Sequence, residues 1–290
     1  MEDQNGNTGT NAERRTFLKS LGTGLLGITG AKLFNPRKLE AAEKEFFGVL
    51  CDTTRCIGCR SCEAACAAAN NLPIPDVADK TALDKNRQMS PKQWTVVNRH
   101  ETSKGEVFVK KQCMHCAQPA CVSACLVKAM KKTEEGAVTW AENCMGCRLC
   151  MFSCPFDVPK FDYESSAPRI EKCSLCWTRI SVGGVPACVE SCPQEAILFG
   201  PRRDLLDEAR TRIYKNPSRY VRYIYGEHEV GGSCWLYLSA VPFDQIGFRT
   251  DLGRTPLPEY TSGFLYTVPF VLVLWPLFLL AVNKVSRKED

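Results

Sequence analysis

Four cysteines within the nineteen residues ENCMGCRLCMFSCPFDVPK (142–160) constrain this 290-residue chain more than any other feature. Cys144, Cys147 and Cys150 are separated by two residues each, so one short loop wraps a compact object and presents three sulfurs to it. The three-residue gap carries Cys154 away, and Pro155 stops the chain from folding back. The pattern recurs three more times. Cys56, Cys59, Cys62 and Cys66 keep the spacing, with Ala67 in place of the proline. In Cys113, Cys116, Cys121 and Cys125 the middle gap grows to four residues, and in Cys173, Cys176, Cys188 and Cys192 to eleven. Sixteen of the eighteen cysteines are used.

Such runs suit iron–sulfur cubanes. Soft, sulfide-bridged iron takes thiolate in preference to imidazole or carboxylate, and in the C-x2-C-x2-C-x3-C-P run the fourth cysteine serves the other cluster of a pair. Four complete quartets are enough for four [4Fe-4S] clusters. Structural zinc joins two C-x2-C pairs across a long loop and has no use for a run of four followed by proline. Disulfide frameworks belong to small secreted domains, and cysteines this close in sequence are poorly placed to pair with each other. No quartet has lost a cysteine to His, Asp or Trp, which excludes a Rieske-type centre. One cluster would serve to brace a fold; four in one chain read as a wire. Cys51, in FFGVLCD, and Cys234, in GGSCWLYL, stand outside the quartets and read as small buried hydrophobes.

No catalytic constellation stands out. His100, His115 and His228 are scattered, with no nucleophile–base pair and no metal triad. His115, inside the second run, is expected to hydrogen-bond a carbonyl or tune a cluster rather than ligate one. Arg55, Arg60, Lys111, Arg148 and Lys172 lie beside cluster cysteines. As solvated charges they do nothing; any that approaches a cluster raises its potential. The formal net charge of +5 includes a segment, 1–41, with six basic and four acidic residues. Each oxidised cubane with its thiolates adds roughly −2, so the loaded remainder is net acidic. The basic excess is therefore no argument for nucleic acid, and neither an aromatic-interleaved basic patch nor a Gly-rich phosphate loop is present.

Both termini carry addresses. Arg14 and Arg15 precede Phe17, Leu18, Lys19 and the apolar SLGTGLLGITGA, the pattern of a twin-arginine export signal over 1–43, with cleavage expected near Ala41 or Ala42. That route carries proteins already folded and loaded with metal. At the other end Phe264–Val282 has nineteen residues without a charge. As a helix it spans about 28 Å, close to the roughly 30 Å thickness of bilayer hydrocarbon. Pro269 and Pro276 are tolerable there and would bend it. Lys284, Arg287 and Lys288 follow, which puts the carboxyl terminus in the cytoplasm and, with export, the cluster region in the periplasm. Between these ends EVFVKK (106–111), GAVTW (136–140) and AILFGPR (196–202) read as strands beside cluster loops. PRRDLLDEARTRI (201–213) reads as a helix from Leu205, Leu206, Ala209 and Ile213.

From about Phe47 to Gly200 the sequence resembles the four-cluster ferredoxin subunits of membrane-bound respiratory oxidoreductases, through KKQCMHC, ENCMGCRLCMFSCPFDVPK, KCSLC and PACVESCPQEAILFG. The export signal, the segment YGEHEVGG and the single anchor resemble most the HybA-type subunit of uptake [NiFe] hydrogenase. The anchor, PKQWTVV and RISVGGVPACV also resemble the beta subunit of membrane-bound formate dehydrogenase. The resemblance implies an α+β fold of two ferredoxin-like bicluster units, one inserted in the other, plus one C-terminal transmembrane helix. Residues 44–108 and 160–225 would form the first unit, from runs one and four. Residues 109–159 would form the inserted second unit, from runs two and three. A partner-contacting tail would follow at 226–262, then the transmembrane helix and basic tail at 263–290.

The swap of fourth ligands is a ferredoxin trait; the pairing of run one with run four comes from the family. Carried over, cluster A would take Cys56, Cys59, Cys62 and Cys192, and cluster B Cys173, Cys176, Cys188 and Cys66. Cluster C would take Cys113, Cys116, Cys121 and Cys154, and cluster D Cys144, Cys147, Cys150 and Cys125. The implied function is electron transfer through four [4Fe-4S] clusters, with no catalytic residue of its own. The implied partners are a periplasmic [NiFe] hydrogenase catalytic subunit and a quinone-reactive integral membrane subunit. The alternatives are a formate dehydrogenase or other molybdopterin oxidoreductase on one side, and a multihaem cytochrome on the other.

Overall fold

The structure, a computed structural model, describes residues 45–165 and 169–286. The export signal expected over 1–43, its cleavage site near Ala41 or Ala42, and Arg287 and Lys288 of the basic tail lie outside the described residues. In chain order the elements are β1 (Phe47–Asp52), α1 (Ser61–Ala69), β2 (Val96–Thr102), β3 (Gly105–Lys111), α2 (Ala120–Ser123), β4 (Met130–Lys132), β5 (Val138–Trp140) and α3 (Leu149–Phe152). There follow β6 (Lys160–Phe161), β7 (Ile170–Glu171), α4 (Trp177–Ile180), α5 (Ala187–Glu190), β8 (Ile197–Pro201), α6 (Arg202–Lys215), β9 (Trp235–Leu238) and α7 (Leu257–Ser286). The expected strands and the helix after Pro201 are present, the helix running on to Lys215.

A continuous apolar run marks a strand covered on both faces. FGVLCD is such a run, and β1 is the centre of a three-stranded sheet. It pairs antiparallel with β8, Cys51 opposite Ile197, and parallel with β9, Cys51 opposite Tyr237. Period-two alternation then divides the core. Leu50, Leu236 and Leu238 pack with Leu205, Leu206 and Ala209 of α6. Val49, Cys51, Ile197, Trp235 and Tyr237 belong to the cluster that includes Cys62 and Cys188. Cys51 and Cys234 are both buried, as expected. Asp52, buried at the end of β1, fastens α6 by accepting from Arg212 Nη1 at 3.0 Å and the Tyr220 hydroxyl at 2.8 Å.

The helices of the cysteine runs pack in two pairs, α1 against α5 and α2 against α3, the second pair beside the β4–β5 hairpin. Three of the expected segments meet packed structure at or beyond their bounds. The 108/109 boundary cuts β3, one arm of the hairpin with β2 whose register runs from Val96–Lys111 to Thr102–Gly105. Phe161 and Ile170, beyond 159, pack with Cys121, Met130, Val138 and Cys150. Within 226–262, expected as a partner-contacting tail, Trp235–Leu238 is fully buried against β1.

The membrane-type helix starts at Leu257 rather than near 263, for a local reason. Pro258 and Glu259 occupy its first turn, where a missing N–H and a negative charge both favour helix. Leu257–Lys284 contains an 18-residue window of mean hydropathy 2.3, none of it buried, and the helix is long and apolar enough to cross a membrane. Pro269 and Pro276 lie inside it.

One buried carboxylate locks the run-one helix in place. Glu63 accepts from Arg60 Nε at 3.1 Å, Arg87 Nη1 at 3.1 Å, Gln93 Nε2 at 3.0 Å and the Val97 backbone N–H at 2.6 Å. Arg60 itself is 3% exposed. Glu63→Ala strands that guanidinium without its counter-charge, an expected loss of about 3–5 kcal/mol in stability. The midpoint of chemical denaturation measures it, and an unchanged midpoint contradicts the clamp.

Candidate metal centres

Left-handed backbone recurs at matching places in the cysteine loops. Gly58 and Arg60 (φ 68° and 64°) flank Cys59, Gly146 and Arg148 (φ 75° and 60°) flank Cys147, and Leu175 and Cys176 have φ of 58° and 51°. His115, before Cys116, has φ 49°. Such turns point successive N–H groups into one concavity, a nest suited to anionic sulfur. The sulfurs do receive N–H donors. Ala129 N lies 3.1 Å from Cys125 Sγ, and Leu175 N lies 3.4 Å from Cys173 Sγ. Gly58 donates to Cys56, Ala187 to Cys176, and Val158 and Phe156 to Cys154.

The proline after the fourth cysteine has a definite task. Lys128, Asp157 and Glu195 each donate their N–H back to the carbonyl of Cys125, Cys154 or Cys192, at 3.1, 3.3 and 3.2 Å. Each closes a turn, and proline presets its second residue at Pro155 and Pro193. All three turn ends are left-handed and lead into β4, β6 and β8. Run one has Ala67 there, and α1 simply continues through Cys66 to Ala69. Asn70 Nδ2 then reaches Cys66 Sγ at 3.8 Å.

Thiols from different runs come together. One cavity is lined by Cys56, Cys59 and Cys62 of run one and Cys192 of run four. A second is lined by Cys173, Cys176 and Cys188 of run four and Cys66 of run one. Burial pushes the Cys116 thiol well up, and its neighbours Cys113, Cys154 and Cys121 push it further. Burial likewise raises Cys150 to about 11, with help from Cys144, Cys125 and Cys147. Burial raises Cys66 to about 12 against the pull of Lys110, and Cys188 and Cys176 add to the rise. None of the eighteen cysteines is in a disulfide. Among the described residues no three Cys, His, Asp or Glu side chains close on a single ion.

Buried donors without protein partners complete the picture. His115 is fully buried and its Nδ1 accepts from Val138 N at 2.8 Å, so the ring proton sits on Nε2, which has no partner. The expected carbonyl bond is therefore replaced by an acceptor role. Burial, with Lys172, Lys132 and Lys110 nearby, holds the ring neutral. Trp235 Nε1 is also unpartnered, and Trp235 lines the second cavity. Unpartnered donors beside sulfur-lined space fit a sulfide-rich guest. His100 and His228 stand apart, His228 at 3.6 Å from Glu227.

The five flanking cations divide. Arg60 is held by Glu63 and the carbonyls of Asp76 and Asp79, and Arg148 lies over the Phe161 ring at 4.4 Å. Arg55 bonds the Glu195 carbonyl and Lys111 the Gly247 carbonyl. Lys172 is buried, with Nζ bonded to the Val138 and Cys173 carbonyls. Lys110, a residue the sequence reading did not single out, is 2% exposed and lines both cavities. The signal for it was Phe108 on the same strand face, packed on the cluster loop at Gly58.

Comparison with known proteins gives the same chemistry. Two 4Fe-4S dicluster domain patterns match, at residues 105–202 and 55–129. A protein of Nitratidesulfovibrio vulgaris is 45% identical over 288 residues, 96% of this chain and 78% of that one. The hydrogenase-2 operon protein HybA of Escherichia coli O157:H7 is 34% identical over 275 residues, 80% of this chain and 82% of HybA. The iron-sulfur subunit of nitrate-inducible formate dehydrogenase of Escherichia coli K12 is 36% identical over 197 residues, 65% of this chain and 66% of that subunit.

The loop at Gly58 yields a sharp expectation. A Cβ there would stand 2.5 Å from Phe108 Cδ1, on a residue with φ +68°. Gly58→Ala is expected to cost of order 1–3 kcal/mol. Adding Phe108→Ala should recover the steric part, so the two denaturation midpoints should combine non-additively. Simple additivity contradicts the contact.

Proposed function

The chain belongs to the family of 4Fe-4S dicluster iron–sulfur subunits that includes HybA and the formate dehydrogenase iron–sulfur subunits, and on that premise we propose that it holds four cubanes as a one-electron relay between a catalytic subunit and a membrane partner. The carrying observation is the mixing of runs around each sulfur-lined site. It supports cluster A on Cys56, Cys59, Cys62 and Cys192, and B on Cys173, Cys176, Cys188 and Cys66. It supports C on Cys113, Cys116, Cys121 and Cys154, and D on Cys144, Cys147, Cys150 and Cys125. Runs one and four thus make one unit, into which the unit of runs two and three is inserted, as the helix pairs α1–α5 and α2–α3 favour. Each bound cubane supplies the uptake and release of one electron.

The residues also favour an order. Cys62 lies close enough to Cys188 to raise its neighbour's charge cost, Cys173 to Cys113, and Cys121 to Cys150. These contacts join A to B, B to C and C to D. At the D end Cys147 is exposed, among exposed Leu126, Met145, Leu149 and Phe152. A cleft there is lined by Phe152 and by Leu257, Leu265 and Tyr266 of α7, so D faces the membrane partner. Hydrogenase is the favoured source of electrons, because the HybA alignment covers 80% of the chain against 65% for the formate dehydrogenase subunit. Arg14–Arg15, the anchor and Lys284 support export by the twin-arginine route, with the cluster region in the periplasm and the carboxyl terminus in the cytoplasm.

Isolated without air, the protein is expected to hold about sixteen iron atoms, four per cubane. Four or fewer, or stoichiometric zinc, contradicts the relay. Cys154→Ser should then reproduce the spectral change of Cys113→Ser, because serine is a harder ligand at the same cubane. A match to Cys144→Ser instead means that ligation follows chain order.

A further inference from the structure

Lys110 has no anionic partner among the described protein side chains other than cysteine. Its ammonium donates to Thr95 Oγ1 at 2.8 Å and Gln112 Oε1 at 2.9 Å, and lies 4.5 Å from the centroid of the Trp235 ring. All three are neutral. Gln112 is itself fixed, its Nε2 donating to the Tyr237 hydroxyl at 2.6 Å, while that hydroxyl donates to the Lys110 carbonyl at 3.0 Å. A cation sealed from water needs a counter-charge nearby. The candidates are the two sulfur-lined cavities, since Lys110 lines both. Burial opposes its charge, and the sulfurs of Cys188, Cys62, Cys173 and Cys66, once ionised, favour it.

We propose that Lys110 is the shared counter-cation of clusters A and B, a positioning charge that raises the reduction potential of both. This rests on the ligand sets proposed above. A cubane gains one negative charge on reduction, so a fixed cation beside it favours the reduced state. Because one ammonium serves two sites, it favours the reduced state at either end of the A–B step. One electron leaves one cubane and enters the other, and the lysine keeps its proton. Thr95, Gln112 and Trp235 hold the charge in place, so little rearrangement accompanies the transfer. Lys111, the next residue, turns away to the Gly247 carbonyl at 2.6 Å and has no such role.

The test is a redox titration of the whole anaerobic protein followed by electron paramagnetic resonance, with iron content measured on every sample. Lys110→Met removes the charge. Gln112→Glu keeps the lysine and places a carboxylate against it. Both are expected to lower two of the four midpoints and leave the other two in place. Lys110→Arg and Lys111→Met should stay close to the parent. Midpoints unmoved in Lys110→Met, or all four moved alike, overturn the proposal. If Lys110→Met does not keep its iron, Gln112→Glu decides alone, and loss of iron from that variant too makes the lysine a structural support and overturns the proposal. A parent protein well short of about sixteen irons fails the four-cubane reading instead, before any variant is compared.

Discussion

Thiols crowded together away from water cannot ionise on their own, and the rest of this structure answers that constraint. Burial puts Cys62 and Cys173 far above the ordinary thiol range, with other cysteines adding repulsion. A thiolate there needs positive charge or hydrogen-bond donors within reach. The chain supplies left-handed turns that aim N–H groups at sulfur, buried amines at Lys110 and Lys172, and unpartnered ring donors on His115 and Trp235. Iron supplies the remainder, which couples folding to loading.

The ordinary core is small and works as a frame. One three-stranded sheet ties the first cysteine run to the last, because β1 precedes Cys56 and β8 follows Cys192. β9 closes it from a segment beyond all sixteen paired cysteines and brings Trp235 to the second cavity. A relay needs its centres held at fixed spacing, and short loops pinned by strands at both ends provide that without a large hydrophobic interior. Exposed apolar side chains gather around Cys147 and along α7, with others such as Ile74, Val182 and Tyr214 elsewhere on the surface.

The cysteine spacing made the chemistry legible, because the geometry of a cubane dictates ligands in a local window. Helix α6 and strands β3, β5 and β8 were legible from periodicity for the same reason. What escaped was non-local. Nothing local in WLYL says that it joins β1, which precedes it by almost two hundred residues, so 226–262 read as a partner-contacting tail. Nothing local marks Glu63, on which three side chains and a backbone N–H converge from residues 60–97. Among the basic residues Lys111 drew attention and Lys110 did not, because a hairpin strand covered on both faces buries the position that alternation assigns to solvent. The start of α7 was legible in Pro258 and Glu259 but lay upstream of the charge-free stretch that set the expectation.

Four cubanes are proposed to stand in a line, each taking three thiolates from one run and the fourth from its partner run. Diffraction from anaerobic crystals of the loaded protein, recorded at the iron absorption edge, tests this without any variant. The account predicts four separate four-iron centres in the order A, B, C, D, with Cys192, Cys66, Cys154 and Cys125 as the crossing ligands. Fewer than four centres, or a centre whose four sulfurs come from one run alone, would contradict it.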